Sequence, residues 1–176
     1  GTLDTHTATI DWGDGTAAES GTVAESPFGP PGSTSGADGT VSASHVYADD
    51  GEYTVTLTVS DDDGGTASDT LRVTVTNVDP TVDAGADQTA TEGAVVSLAP
   101  ATFNDLGTLD THTASIDWGD GSAAESGTVG ESPFGPPGST SGADGTVSAS
   151  HVYADDDEYT VTGTVTDDDG GTASDT

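Results

Sequence analysis

The fold class is decided by the stretch Glu52-Tyr53-Thr54-Val55-Thr56-Leu57-Thr58-Val59-Ser60. Its apolar side chains lie at odd positions, and its charged or hydroxyl side chains lie at even positions. A period of two residues is typical of a β-strand that turns one face to a core and the other to solvent. The same alternation occurs in residues 7–12 and 71–76, and no segment shows helical spacing. The sequence therefore predicts an all-β protein.

Further short strands are predicted in residues 22–23, 40–47, 81–84 and 94–98. Clusters of Gly, Asp and Pro separate them, as is typical of turns. About seven short strands in ~100 residues, without a helix, indicate an antiparallel β-sandwich.

The chain repeats itself with an offset of 106 residues, so that residues 1–6 recur as residues 107–112. Residues 107–176 copy residues 1–70 with six changes, and residues 71–106 occur once. A period of this length is the size of one domain. We interpret 1–76 as a module without its first strands and 77–176 as a second module without its last strand, both from a longer array. Each incomplete module has an exposed sheet edge unless neighbouring polypeptide completes it.

The charge balance excludes several classes of protein. The chain has 32 Asp plus Glu against a single Lys or Arg, which is Arg72, and its formal net charge is -31. Such a chain is repelled by nucleic acid and by anionic membrane surfaces. No run approaches the ~18 apolar residues of a spanning helix, so we expect no membrane insertion of this segment. The absence of Cys and Lys excludes disulfides, thiol chemistry and Schiff-base lysines.

Several motifs together resemble the polycystic kidney disease (PKD) repeat. They are Asp-Trp-Gly-Asp-Gly-Thr at 11–16, Ser-His-Val-Tyr at 44–47, the strand at 51–59 and the run Asp-Asp-Asp-Gly-Gly-Thr-Ala-Ser-Asp-Thr at 61–70. Residues 77–80 and 83–88 are similar to the opening of that module. The resemblance implies tandem immunoglobulin-like sandwiches that are extracellular and have no catalytic activity of their own.

An immunoglobulin-like strand order sorts the acidic residues to the two ends of a module. The linker shares the N-terminal pole with two loops, one between the second and third strands and one between the sixth and seventh. At this pole we place the linker residues Asn77 and Asp79, the first-loop residues Asp105 and Asp110, and the second-loop residues Asp167 and Asp168. Acids at the C-terminal pole of the preceding module would face them, so a module junction collects oxygen ligands from both sides.

A divalent cation would make this crowding of carboxylates favourable. Two carboxylates at ~4 Å repel by on the order of 1–4 kcal/mol. Calcium accepts 6–8 oxygen ligands with tolerant geometry, whereas zinc prefers His and Cys. Similar PKD modules have calcium near their N-terminal linker. The predicted calcium ligands are Asn77, Asp79, Asp105, Asp110, Asp167 and Asp168, with Asp61 and Asp62 as the equivalents in the first module.

Two alternatives remain open for these acids. Asp and Gly dominate turns for backbone reasons alone, which is our preferred interpretation of Asp14 and Asp120. A high acid content also keeps a salt-adapted protein hydrated, and this interpretation is compatible with calcium binding.

Three aromatic and apolar positions carry further predictions. Trp12 and Trp118 lie on the apolar parity of their strands and are predicted core anchors. Leu57 is replaced by Gly163 in the second copy, which predicts a cavity there.

Phe28 and Phe134 lie in a Pro/Gly-rich segment, residues 25–39 and 131–145, that is longer than the usual PKD connection. The loop either folds over its own sheet, docks on a neighbouring module or chain, or binds a soluble ligand. We predict interface residues at both positions.

The sequence predicts a non-catalytic structural or adhesive repeat array of an extracellular fibre or cell-surface protein, stiffened by calcium at module junctions. Its expected partners are neighbouring modules and identical chains in a homopolymer, with a glycan or protein ligand as a further candidate. The alternative is a spacer or substrate-binding accessory module of a secreted hydrolase, which predicts an exposed row of aromatic side chains.

Overall fold

A computed structural model of the chain describes residues 2–26, 34, 36–131 and 139–176. These residues form twelve β-strands, so the predicted all-β class is confirmed. Within them, no helix is long and apolar enough to cross a membrane. They divide into two compact units, one of Gly1–Tyr47 with Gly51–Val75 and the other of Ala48–Asp50 with Thr76–Thr176. Phe28 and Phe134 lie outside the described residues, so their predicted interface role stays a prediction.

The first unit contains one antiparallel sheet in the strand order β3-β2-β1-β4-β5. The predicted strand at 52–60 is confirmed as the centre of the longest of these strands. Alternation buries Ala8, Ile10 and Val55 on one face of the sheet and leaves hydroxyl side chains on the other. The strands are β1 (His6–Asp11), β2 (Glu19–Glu25), β3 (Gly39–Ser42), β4 (Gly51–Asp61) and β5 (Thr66–Val75).

The second unit is a β-sandwich whose strands follow the order β12-β11-β8-β9-β10-β7-β6. β9 pairs with β8 through its first residues and with β10 through its last, so it crosses from one layer to the other. The backbone N–H of Ala84, just after β6, donates to Asp175 Oδ2 of β12 at 2.9 Å, which brings the two ends of the strand order together. The strands are β6 (Thr81–Asp83), β7 (Val95–Asp105), β8 (His112–Asp117), β9 (Glu125–Glu131), β10 (Ala143–Val152), β11 (Thr162–Asp167) and β12 (Thr172–Asp175).

The core of the second unit lies between these layers. Trp118, Ile116 and Val165 are its most deeply buried apolar side chains, at 0–1% exposure. The predicted core position is therefore confirmed for Trp118, whereas Trp12 is only half-buried. The indole N–H of each tryptophan donates to a glutamate of the next strand, Glu19 at 3.1 Å and Glu125 at 3.4 Å.

Four predicted strands differ from the structure by more than one residue at an end. The strand predicted at 94–98 continues to Asp105, because β7 pairs with β10 along almost its whole length. The strand predicted at 22–23 spans Glu19–Glu25, and the strand predicted at 71–76 begins at Thr66. The strand predicted at 40–47 ends at Ser42 in the first unit, whereas its repeat, β10, covers nearly all of the predicted extent.

Gly163 borders a small apolar cavity, as the loss of a leucine predicts. The cavity has a volume of about 10 Å³ and is lined by Val82, Leu98, Ala101, Val147 and Val165 among others. At about 24 cal/mol per Å³, a cavity of this size destabilises by a few tenths of a kcal/mol. This is less than the 3 to 5 kcal/mol that an unfilled leucine site implies, and Val82 of β6 with Leu98 and Ala101 of β7 lines the space.

Gly163→Ala should stabilise the second unit by about 0.5–1 kcal/mol, because a Cβ there meets nothing within 4 Å and glycine is unfavourable in a strand interior. Differential scanning calorimetry should show a melting temperature raised by about 4–8 °C per kcal/mol. Gly127→Ala is the matched control: its Cβ would lie 2.7 Å from Ile116 Cδ1, so it should destabilise. A fall in melting temperature for Gly163→Ala would contradict the prediction.

Candidate metal centre

Three buried carboxylates meet at the N-terminal pole of the second unit. Asp105 ends β7, Asp110 lies in the segment before β8, and Asp167 ends β11. Their exposures are 1%, 4% and 5%. One oxygen of each lies within 4.8 Å of the others. The structure thus brings together three of the predicted ligands, and it buries all three.

Local turn chemistry fixes the orientation of two of these acids. Asp105 Oδ1 accepts the backbone N–H of Gly107 at 3.0 Å. Asp167 Oδ1 accepts the N–H groups of Asp169 and Gly171, at 3.0 and 2.7 Å. Aspartate followed two residues later by a turning backbone favours these hydrogen bonds. The second oxygen of each carboxylate contacts another residue of the pole, His112 for Asp105 and Asn77 for Asp167.

Asp110 is the acid with an unsatisfied oxygen. Its Oδ1 is buried without a hydrogen-bond partner, and the hydroxyl of Thr108, a residue with 0% exposure, is in the same state. The pKa of Asp110 is raised to about 7, mainly by burial and secondly by repulsion from Asp105 and other nearby carboxylates. A buried polar atom without a partner is unfavourable. Both atoms are oxygens, so a hydrogen-bond donor such as water, or a cation, would satisfy them.

The linker into the second unit is anchored at the same pole. Asn77 Nδ2 donates to Asp167 Oδ2 at 2.9 Å. Asp79 Oδ1 and Asn77 Nδ2 both lie within 3 Å of the point where a Cβ on Gly171 would be, and such a Cβ would also collide with the Asp167 carboxylate. Glycine at 171 therefore allows the linker to approach Asp167. Burial would raise the pKa of Asp167, but the hydrogen bonds from Asn77 and from the backbone outweigh it and lower the pKa.

A buried histidine supplies positive charge beside the acids. His112 Nε2 lies 3.0 Å from Asp105 Oδ2, and His112 Nδ1 lies 2.9 Å from Glu131 Oε1. Burial lowers the pKa of His112, but the hydrogen bonds to these two carboxylates outweigh it and raise the pKa. Ionised carboxylates only accept hydrogen bonds, so contacts to two of them favour the doubly protonated, positively charged form of His112, in the same direction as the raised pKa. One imidazolium leaves the pole strongly negative.

The donor set fits calcium best. All candidate ligands are carboxylate, amide or hydroxyl oxygens, and calcium binds 6–8 oxygens at about 2.3–2.6 Å. Ligands on opposite sides of such an ion lie up to about 5 Å apart, which matches the spacing of the triad. A second group of three carboxylates shares Asp110 with Asp49 and Asp169, both of which belong to the second unit. Zinc is disfavoured because the one imidazole nearby has both nitrogens engaged.

Several predicted ligands are not part of the triad. Asp168 Oδ1 instead accepts the backbone N–H of Thr111 at 2.7 Å, which fixes the segment that carries Asp110. In the first unit, Asp61 accepts the N–H groups of Asp63 and Gly65, and Asp62 accepts that of Thr5. No described residue of the first unit stands where Asp105 and Asn77 stand in the second.

The turn acids Asp14 and Asp120 behave as predicted. Asp14 Oδ1 accepts the backbone N–H of Thr16 at 3.0 Å, and its Oδ2 lies 2.8 Å from His45 Nε2. Burial opposes ionisation, but hydrogen bonds from Thr16 and His45 lower the pKa of Asp14 to about 2. His45 also stacks on Trp12, with ring centroids 4.9 Å apart. Each of these acids is satisfied by a backbone N–H of its own turn and by a histidine, His45 for Asp14 and His151 for Asp120.

Sequence reasoning missed two parts of the site. The first is His112, whose two carboxylate partners lie on β7 and β9. Only the prediction that β7 and β9 lie next to β8 could have indicated these contacts from the sequence. The second is Thr108, a hydroxyl in a loop with no distinctive motif. Both residues belong to the site because they are buried, and their burial results from the packing of all the loops at this pole.

Comparison with known protein families identifies the family to which the chain is related. The family model for the PKD domain matches residues 1–75 and 77–176, which is nearly the whole chain. No curated protein sequence gives a significant match. PKD domains are extracellular immunoglobulin-like modules and are generally non-catalytic. The all-β sandwich and the repeated motifs agree with that match, and the chain therefore belongs to the PKD domain family as two tandem domains.

Proposed function

We propose that the chain is a calcium-binding structural repeat of an extracellular array. The observation that carries the proposal is the unpartnered Oδ1 of Asp110, which is buried among the carboxylates of Asp105 and Asp167. Three buried acids with one neighbouring imidazolium are unfavourable unless a proton or a metal ion compensates their charge. Calcium at about 0.1–1 mM, the affinity range of extracellular modules, would supply that compensation.

The mechanical consequence concerns the linker. A cation held by Asp167 and its neighbours fixes the position of Asn77 and Asp79, because Asn77 is hydrogen-bonded to Asp167. Residues of the linker then belong to the rigid second unit, and less free chain remains between consecutive modules. Repeated along an array, this anchoring favours a stiff fibre or a surface projection. The proposed partners are neighbouring modules and identical chains, and the proposed location is the cell surface.

The alternative role as a substrate-binding accessory module of a hydrolase receives less support. Such a surface needs exposed aromatic rings. Among the described residues, none of the exposed large apolar side chains is aromatic. The tyrosines stack on each other instead, with centroids of Tyr47 and Tyr53 at 4.3 Å and of Tyr153 and Tyr159 at 4.2 Å.

Calcium titration by calorimetry tests the proposal. The chain should bind calcium with Kd of about 0.1–1 mM, and Asp167→Asn should weaken binding at least about tenfold, because one anionic ligand and the linker contact are altered. Asp61→Asn is the matched control at the same position of the repeat. It should leave calcium affinity unchanged. The proposed site would be contradicted if the chain bound no calcium at about 10 mM, ten times the weakest expected Kd. It would also be contradicted if the two variants lost calcium affinity equally.

A further inference from the structure

The pole that holds the buried triad of Asp105, Asp110 and Asp167 also carries a second group of carboxylates. In this group Asp49, Asp110 and Asp169 each offer one oxygen, and these oxygens lie within 4.8 Å of one another. Asp110 belongs to both groups, so together they form one connected set of five carboxylates. The members that are new in the second group are less buried than the triad, because Asp49 is half-buried and Asp169 is exposed.

A backbone hydrogen bond places Asp49 beside the shared acid. The second unit consists of Ala48–Asp50 together with Thr76–Thr176. Ala48 is 7% exposed, and its carbonyl oxygen accepts the backbone N–H of Leu109 at 3.2 Å. Leu109 directly precedes Asp110, so this hydrogen bond brings the residue after Ala48 close to Asp110. The contact uses backbone atoms, and a change of Asp49 to its uncharged amide should leave it in place.

A single turn supplies one acid to each group. The backbone N–H of Asp169 donates to Asp167 Oδ1 at 3.0 Å. Asp167 is a member of the buried triad, and Asp169 is a member of the second group. The hydrogen bond uses the backbone of Asp169, so the carboxylate of this residue can be changed to an amide without breaking the turn.

A buried oxygen without a partner points to a ligand at this set of acids. Asp110 is 4% exposed, and its Oδ1 has no hydrogen-bond partner. Thr108 Oγ1, two residues earlier, is also buried and unpartnered. Water can donate a hydrogen bond to such atoms, but it carries no charge. The charge of the surrounding acids therefore decides between water and a cation.

The charge of the two groups exceeds what one divalent ion compensates. The groups contain five carboxylates, and His112, 3.0 Å from Asp105, supplies one positive charge in its favoured protonated form. One calcium ion would leave two of the five negative charges uncompensated, and a second calcium ion would offset them. Uncompensated like charges beside a buried acid are unfavourable. The balance therefore favours two ions.

We propose that the pole binds two calcium ions, one in the buried triad and one between Asp49, Asp110 and Asp169, with the carboxylate of Asp110 bridging them. This inference rests on the proposed calcium site and adds a second, more hydrated ion to it. Ions in two-metal sites lie about 3.5–4 Å apart, and a carboxylate can bind one ion through each of its oxygens. Calcium suits the second group because it accepts carboxylate and water oxygens together in a flexible geometry. The second ion fixes Ala48–Asp50 to the rest of the second unit.

Equilibrium dialysis of the full chain with radioactive calcium tests this stoichiometry. The experiment should be run at pH 8, with the chain at about 1 mM, near the weakest expected Kd, and in about 0.15 M KCl to screen loosely held counterions. The unaltered chain should bind two calcium ions. Asp49→Asn and Asp169→Asn should each leave one ion bound and raise the Kd of the second at least about tenfold, because each variant removes an anionic ligand of the second ion alone.

A matched control and a second measurement make the test specific. Asp63→Asn, at the repeat position of Asp169 in the first unit, should leave two ions bound. Hydrogen exchange should show that calcium slows exchange of the Leu109 amide, which donates to Ala48, in the unaltered chain. The slowing should be smaller in Asp49→Asn, because the second ion no longer holds the segment that contains Ala48.

Three outcomes would overturn the inference. One bound ion that Asp167→Asn weakens, and that Asp49→Asn and Asp169→Asn do not, would refute the second ion and leave the proposed calcium site standing. No bound calcium at all would refute both. Two bound ions, of which Asp63→Asn removes one, would place the second ion in the first unit.

Discussion

Chelation of calcium should lower the melting temperature of the second unit by about 6–20 °C. A ligand that binds only the folded state stabilises it by RT ln(1 + [L]/Kd), which is about 1.4 kcal/mol at 10 times Kd and about 2.7 kcal/mol at 100 times Kd. For a domain of this size each kcal/mol corresponds to about 4–8 °C. The comparison should be made at pH 8, with 10 mM calcium or with EGTA, by scanning calorimetry and by hydrogen exchange of amides in β7 and β11.

The first unit serves as the internal control in that experiment. Its residues Asp61 and Asp62 are engaged in backbone hydrogen bonds and are not part of a described carboxylate triad. Amides in β1 and β4 should therefore exchange at the same rate with calcium and with EGTA. Magnesium should reproduce little of the effect, because it dehydrates reluctantly and requires a smaller octahedral site. An equal response of both units would indicate general salt screening rather than a site.

The strands could be predicted from sequence because their signal is local. Alternation from Glu52 to Ser60 is sufficient to specify a strand with one buried face, and β4 has it. The ends of strands could not be predicted in the same way. The repeat of this stretch is a strand only from Thr162 to Asp167, the part that pairs with β8, and β3 is shorter than β10 although their sequences are the same. A strand extends as far as its partner does, and partners are set by topology.

The candidate site was predictable only in outline. Strand order alone places Asp105, Asp110 and Asp167 at one pole, and the structure has them there. Which acids are buried depends on how loops pack, so Asp168 was an equally good candidate by sequence, although in the structure it accepts a backbone N–H. The unpartnered oxygen of Asp110 is a consequence of burial, and the raised pKa of His112 is a consequence of its two carboxylate partners. Neither has a signature in the order of residues.

Asp110→Asn should stabilise the metal-free second unit at pH 8 by up to roughly 4 kcal/mol and should abolish its response to calcium. Burial and neighbouring carboxylates raise the pKa of Asp110 from 3.8 to about 7. Between about pH 4 and pH 7 the folded state therefore holds a proton that the unfolded state has lost. The metal-free unit should lose stability as pH rises through that interval, because ionised Asp110 is unfavourable in the fold. Asparagine has the same shape without the charge, so urea unfolding of the variant should lack this pH dependence.

The pH comparison separates a metal ligand from a structural acid. At pH 5 only about a third of this loss has accumulated, so Asp110→Asn should stabilise the metal-free unit by roughly 1.5 kcal/mol there, little below about pH 4, and most above about pH 7. Calcium must displace the same proton, so the affinity of the unaltered chain should fall about tenfold per pH unit below about 7. Asp4→Asn, at the same repeat position in the first unit, should leave calcium affinity and its pH dependence as they are. Destabilisation of the metal-free chain by Asp110→Asn at pH 8 would mean that the fold stabilises the ionised carboxylate by itself, and a cation would then have no uncompensated charge to bind.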